Sequence, residues 1–105
     1  MTNEDRLHDA LAAVMPAYHL ALDGEPQDGA AYRFLNESHV YESDVPIMTR
    51  ENYQIYIYQR EYSPETVVKA KQKLADAGFA VQQGNQTMED IYYRDELRVN
   101  RKKEE

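Results

Sequence analysis

Three histidines, nineteen acidic side chains and nine tyrosines are the groups in this 105-residue chain whose types could do chemistry. His8, His19 and His39 include no pair four residues apart, so no helical face offers two imidazoles to one ion. The nearest approach to a metal set is His39 with Glu42 and Asp44. A calcium loop would alternate its acids about a central glycine, and none is present there. Cysteine is absent, which removes thiolate metal sites and a disulfide framework. Nucleophilic catalysis needs a hydroxyl beside an imidazole and an orienting carboxylate. The one serine in a distinctive setting, Ser63 of Tyr62-Ser63-Pro64-Glu65, reads as a helix cap. The adjacent carboxylate pairs Glu4/Asp5 and Asp95/Glu96 point apart on a helix or strand. Glycines at 24, 29, 78 and 84 are too dispersed to cradle a phosphate. The reading is a non-enzyme, with no catalytic, cofactor-binding or metal-ligating residue assigned and no cofactor expected.

Tyrosine is the anomaly. The nine stand at 18, 32, 41, 53, 56, 58, 62, 92 and 93, mostly in segments that read as strands. Tyr53 is out of phase with Tyr56 and Tyr58, so one strand carries aromatics on both faces. If helices cover one face, the other presents Tyr56 and Tyr58 to solvent or to a partner, and tyrosine is enriched at protein interfaces.

The elements that must position these residues follow from periodicity. Leu7, Ala10, Leu11, Val14 and Met15 make one apolar stripe, capped by Thr2 or Asn3 and stopped by Pro16, which predicts a helix over about 3–15. A short strand over Ala17–Leu22 places Tyr18, Leu20 and Leu22 on one face and His19 on the other. Turn chemistry from Asp23 to Gly29 leads to a second strand, Ala31–Glu37. Ser38 to Pro46 shows no clear period and reads as an extended loop. Alternation is plainest over about 49–62, a third strand. Ser63-Pro64-Glu65 opens a second helix over about 64–77, and Gly78 followed by Phe79 closes it as a Schellman cap. A strand at Phe79–Gln82, a turn at Gly84-Asn85 and a strand at about Ile91–Val99 complete the chain. Asp95 falls on the apolar face of that last strand, and a bulge near Asp95-Glu96 would remove the conflict. The order α-β-β-β-α-β-β predicts one α+β domain over 1–100, with an antiparallel sheet of four to five strands, two helices on one face, and a charged, disordered tail at 101–105.

The formal charge is -7, and residues 1–31 alone hold six acids and one Arg. Such a balance disfavours phosphate backbones, so sequence-specific nucleic-acid binding is not expected. The polar, acidic start has no signal-peptide character. No apolar run reaches the ~20 residues that cross a bilayer, so a soluble chain without membrane contact is expected.

Several stretches, in order, resemble the small tail-completion (tail-terminator, head–tail joining) proteins of long-tailed phages and prophages of Gram-positive bacteria. They are Tyr41-Glu42-Ser43-Asp44, Tyr53-Gln54-Ile55-Tyr56-Ile57, Tyr62-Ser63-Pro64-Glu65, Ala77-Gly78-Phe79 and Met88-Glu89-Asp90-Ile91-Tyr92-Tyr93-Arg94, following an amphipathic first helix. The likeness covers about two-thirds of the chain. It departs at Tyr93-Arg94, where the family often has His after Tyr, and at the Asp95-Glu96 interruption. The resemblance implies a structural protein that caps the tail tube and joins it to the head connector as a homo-oligomeric ring, usually a hexamer. Its partners would be tail-tube and head-connector proteins, with DNA only passing through the lumen. It would be found in the host cytoplasm during assembly and then at the virion head–tail junction. Tyr41, Glu42, Asp44, Tyr56 and Tyr58 are the candidate interface residues. Another small head–tail connector or minor tail protein, or a bacterial adaptor domain outside phages, fits the same residues.

Overall fold

The structure, a computed structural model, describes residues 1–20 and 27–104. The expected strand end at Ala21-Leu22, most of the Asp23–Gly29 turn and Glu105 lie outside the described residues. Element order is α1 (Asn3–Ala12), β1 (Ala17–His19), β2 (Gly29–Glu42), β3 (Val45–Gln59), α2 (Pro64–Asp76), β4 (Ala80–Glu89) and β5 (Tyr92–Lys102). The fold is α+β, a five-stranded sheet in the order β1-β2-β3-β5-β4. All neighbours are antiparallel except β1 and β2, which run parallel. That exception corrects the expectation of a fully antiparallel sheet, which assumed a tight turn. The connection from β1 to β2 is long enough to return the chain to the same end.

Both helices cover one sheet face. Leu7, Leu11, Val67, Ala70 and Leu74 meet Tyr32, Tyr53, Ile55, Ile57, Leu97 and Val99 in one core. Full burial of each large aliphatic side chain is worth about 1.5–3 kcal/mol. α1 is shorter than expected. Its start is a capping box, in which Thr2 Oγ1 accepts from the Asp5 amide and the Asp5 carboxylate accepts from the Thr2 amide. α2 ends as its sequence requires: Gly78 sits at φ 91°, and the Phe79 amide donates to the Leu74 carbonyl at 3.0 Å, closing the Schellman motif. Its start differs from expectation. The Ser63 hydroxyl makes no capping bond; instead Gln59 Oε1 accepts from the Ser63 amide, and Gln59 Nε2 donates to the Ser63 carbonyl.

Three further corrections share a cause, the placement of turns. Ser38–Pro46 is no loop: β2 and β3 continue through it as a hairpin closed by Ser43 and Asp44, both at positive φ (50° and 64°). That is the type I′ geometry that twists with the strands. Gly84-Asn85 is no turn but a bulge in β4, where the register slips between Gln83 and Gln86. The turn lies instead at Asp90-Ile91, between the paired residues Glu89 and Tyr92, with Asp90 at φ 56°. The expected bulge at Asp95-Glu96 is therefore on the neighbouring strand, and β5 runs unbroken past Asp95. The expected disordered tail is also corrected. Arg101 and Lys102 belong to β5, the Lys103 amide donates to the Thr49 carbonyl at 2.8 Å, and Glu104 bridges Arg6 and Arg101. Those two guanidiniums hold the Glu104 carboxyl down to about 2.

Candidate interaction surface

Strand alternation fixes what each sheet face shows. With Tyr53, Ile55 and Ile57 inward, the open face of β3 carries Arg50, Asn52, Gln54, Tyr56 and Tyr58. Register adds Arg33 from β2, and Arg94, Glu96, Arg98 and Lys102 from β5. Tyr56 and Tyr58 are thus on the side away from the helices, as their phase implied.

They are not, however, a free aromatic surface. Tyr58 is only 5% exposed; its ring meets Tyr92 edge-on at 6.1 Å, and its hydroxyl donates to Glu89 at 3.3 Å. Burial raises its pKa, with the Glu89 carboxylate adding to the shift. Tyr56 is half-buried, and the Arg94 guanidinium lies 4.6 Å over its ring centroid. Arg94 is fixed there by Glu89 and Thr87. Next to it, Gln54 Nε2 donates to both the Tyr56 hydroxyl and Glu96, and Gln54 Oε1 accepts from Arg33. This half of the open face is a closed polar network whose members satisfy one another. Its charge also differs from the acidic surface that composition suggested: Arg33, Arg50, Arg94, Arg98 and Lys102 stand against Glu89 and Glu96. Among the described acids of the first thirty residues, Glu4, Asp5 and Asp9 lie on α1, and Asp28, just before β2, accepts from the Arg60 amide.

The other three candidates, Tyr41, Glu42 and Asp44, come together at the tip of the β2–β3 hairpin. β5 ends opposite Arg50, so beyond that point the two strands run on alone. This projecting arm helps make the long axis 49 Å against 26 and 22 Å. A bulge at Ile47 shifts its register, and a second bulge, at Leu35, lies back in the body. Tyr41 and Val45 are each 59% exposed, Ile47 57% and Val40 41%. The Tyr41 ring meets His39 edge-on at 6.0 Å; otherwise these apolar side chains lie open to solvent, the kind of surface that proteins use for association. His39 does not join Glu42 and Asp44 in a metal set; its Nδ1 lies 3.0 Å from Thr49 Oγ1. Among the described residues no three metal-ligating side chains cluster.

At the root of the arm, Pro46, Ile47, Met48, Arg50, Arg101 and Lys102 help line an open cleft of about 1000 Å³. Arg50 and Lys102 are directly opposite across β3 and β5. Neither has a carboxylate within ion-pairing reach among the described residues, so the pair repels. The acid pair across the neighbouring register, Glu37 and Glu51, is handled differently. Lys103 pairs with Glu37, and the Asn3 amide donates to Glu51.

A scan against protein-family models finds no match for this chain, and a search of curated proteins returns none significantly similar. No helix among the described residues is long and apolar enough to cross a membrane.

Sequence reasoning placed Val45 within the Ser38–Pro46 segment expected to make contacts, but missed Ile47, Arg50 and Lys102 as surface residues. A weak signal for Ile47 was present: Glu42 and Val45 flank Ser43-Asp44, two residue types that tolerate a turn, at the spacing of a two-residue hairpin. The Arg50–Lys102 juxtaposition has no local signal, because it depends on the β3–β5 register.

Proposed function

We propose that this chain is a structural subunit of a phage or prophage assembly that caps the tail tube and joins it to the head connector as a homo-oligomeric ring. It acts by binding other subunits rather than by catalysis. The observation that carries the reading is the exposed arm at Tyr41–Val45: a small domain with a complete core spends a further length of sheet on apolar and acidic side chains that none of the described residues covers. The order of elements adds support. Tyr53–Ile57 forms the middle of the central strand, Ser63-Pro64 opens α2, Ala77-Gly78-Phe79 closes it, and Tyr92-Tyr93-Arg94 starts the last strand. These are the positions the tail-completion resemblance implies. In such a ring the acidic wall facing passing DNA would be the α1 side and not the open sheet face, whose cations would hold DNA back.

Electron microscopy of tails from a phage lacking this protein tests the role. Overlong or uncapped tails that fail to join heads are the expected result. Normal virions in its absence would refute it.

A further inference from the structure

The arm carries two complementary surfaces that cannot meet within one chain. Its tip combines the carboxylates of Glu42 and Asp44 with the exposed Tyr41 and Val45. Its root combines Arg50 and Lys102 with Ile47 and Met48. The charged groups of tip and root, Asp44 and Arg50, are about six residues apart on a rigid ladder, roughly 20 Å at the usual strand rise, and the hairpin cannot fold back to bring them together. Each surface therefore finds its complement only on another molecule.

We infer that the tip of the arm of one copy docks into the root cleft of the next, with Glu42 and Asp44 set against Arg50 and Lys102 and with Tyr41 and Val45 against Ile47 and Met48. Three observations carry this. The Arg50–Lys102 pair is a like-charge juxtaposition that an incoming carboxylate would relieve. The cleft is also lined by Arg101, Lys103 and Glu104, but Arg101 pairs with Glu104 and Lys103 with Glu37, which leaves Arg50 and Lys102 to face Glu42 and Asp44 in a chain whose net charge of -7 would otherwise keep copies apart. The apolar residues of both surfaces lie more than half exposed at Tyr41, Val45 and Ile47, so docking removes them from water. Contact is through side chains and not by extension of the sheet. The free edge of β3 there carries Pro46, which has no amide hydrogen, and the Ile47 bulge, and both blunt an edge against strand pairing. The contact joins different patches on the two copies, so its repetition closes a ring or runs into a filament. It rests on the self-assembling part of the proposed function and names the surfaces used.

The test is a charge exchange read by sedimentation of the full chain from micromolar to sub-millimolar concentration at low salt. One variant reverses the tip (Glu42→Lys with Asp44→Lys), the other the root (Arg50→Glu with Lys102→Glu). Each variant alone is expected to lose self-association by about tenfold or more, with circular dichroism unchanged. An equimolar mixture is expected to recover it, because each tip then meets a root of opposite sign. A Tyr41→Ser variant with native charges should weaken association without being rescued by either partner. Variants that associate like the native chain, or a mixture that fails to recover, would overturn the contact. So would a native chain that stays monomeric throughout, or whose Arg50 and Lys102 serve only to bind single-stranded oligothymidine. Any of these could occur while tails lacking the protein still fail to join heads, so failure of the contact is distinguishable from failure of the assembly role.

Discussion

β2 and β3 pass through two environments in one unbroken ladder, and the contrast shows what each part of the molecule is for. In the body, Ile55 and Ile57 are fully buried under two helices. A few residues earlier on the same strand, Ile47 and Val45 are more than half exposed. Residue type is alike in both places, and β3 pairs with β2 in both. The difference is cover: α1 and α2 span the sheet only where β5 and β4 flank it, and β5 stops opposite Arg50. The body can therefore hold the fold by itself, and the arm gains nothing from the fold except a rigid base.

The sharpest way to break that comparison is to remove apolar volume from each region and compare the costs. Leu74→Ala takes a fully buried side chain from the helix–sheet contact and should lower unfolding free energy by about 2–5 kcal/mol, read from urea unfolding. A cost near zero would mean that the helices are not what holds the body.

A smaller and pH-dependent effect is expected at Asp95, the one fully buried carboxylate among the described residues. It is 2% exposed, and its only side-chain partner is a 3.4 Å bond from Gln86 Nε2, so burial raises its pKa. The folded state therefore holds the proton more tightly than the unfolded chain does. The stability this confers is fully present below the ordinary carboxylate value and is lost as pH rises through the raised folded value. Asp95→Asn, which removes the charge, should be more stable than the native protein near neutrality, and the advantage should shrink as the solution is acidified. Parallel pH profiles for the two proteins would contradict the burial of an ionised group.

The smallest effect belongs to the arm. Ile47→Ser should change the unfolding free energy of the isolated chain by no more than about 0.5 kcal/mol, because the side chain is already in water. A loss like that at Leu74 would show that the arm is part of the core.

The sequence made the body legible and the arm opaque for a physical reason. Helix ends are written locally, in Thr2 to Asp5 and in Ala77-Gly78-Phe79, and the Tyr53–Ile57 alternation is set by one-sided burial. The element order and the helix-covered face followed from those signals. An exposed ribbon has no burial asymmetry, so Ser38–Pro46 lacked a period even though it is strand. The Ser43-Asp44 pair was the surviving clue, weak because neither residue is glycine. Asp95 was read correctly as a conflict on the inward face. The conflict persists, because the bulge lies on β4 at Gly84-Asn85 and Asp95 stays buried beside Gln86. The enclosure of Tyr58 and the polar network around Gln54 depend on cross-strand register, which no window of sequence contains.

The claim on which all of this turns is that the arm, and not the body, carries association. Sedimentation velocity of a chain whose residues 41–47 are replaced by an Asn-Gly turn, which keeps Val40 paired with Met48, measures it directly. The account predicts a folded monomer at concentrations where the native chain assembles. A shortened chain that assembles as the native one does would contradict it.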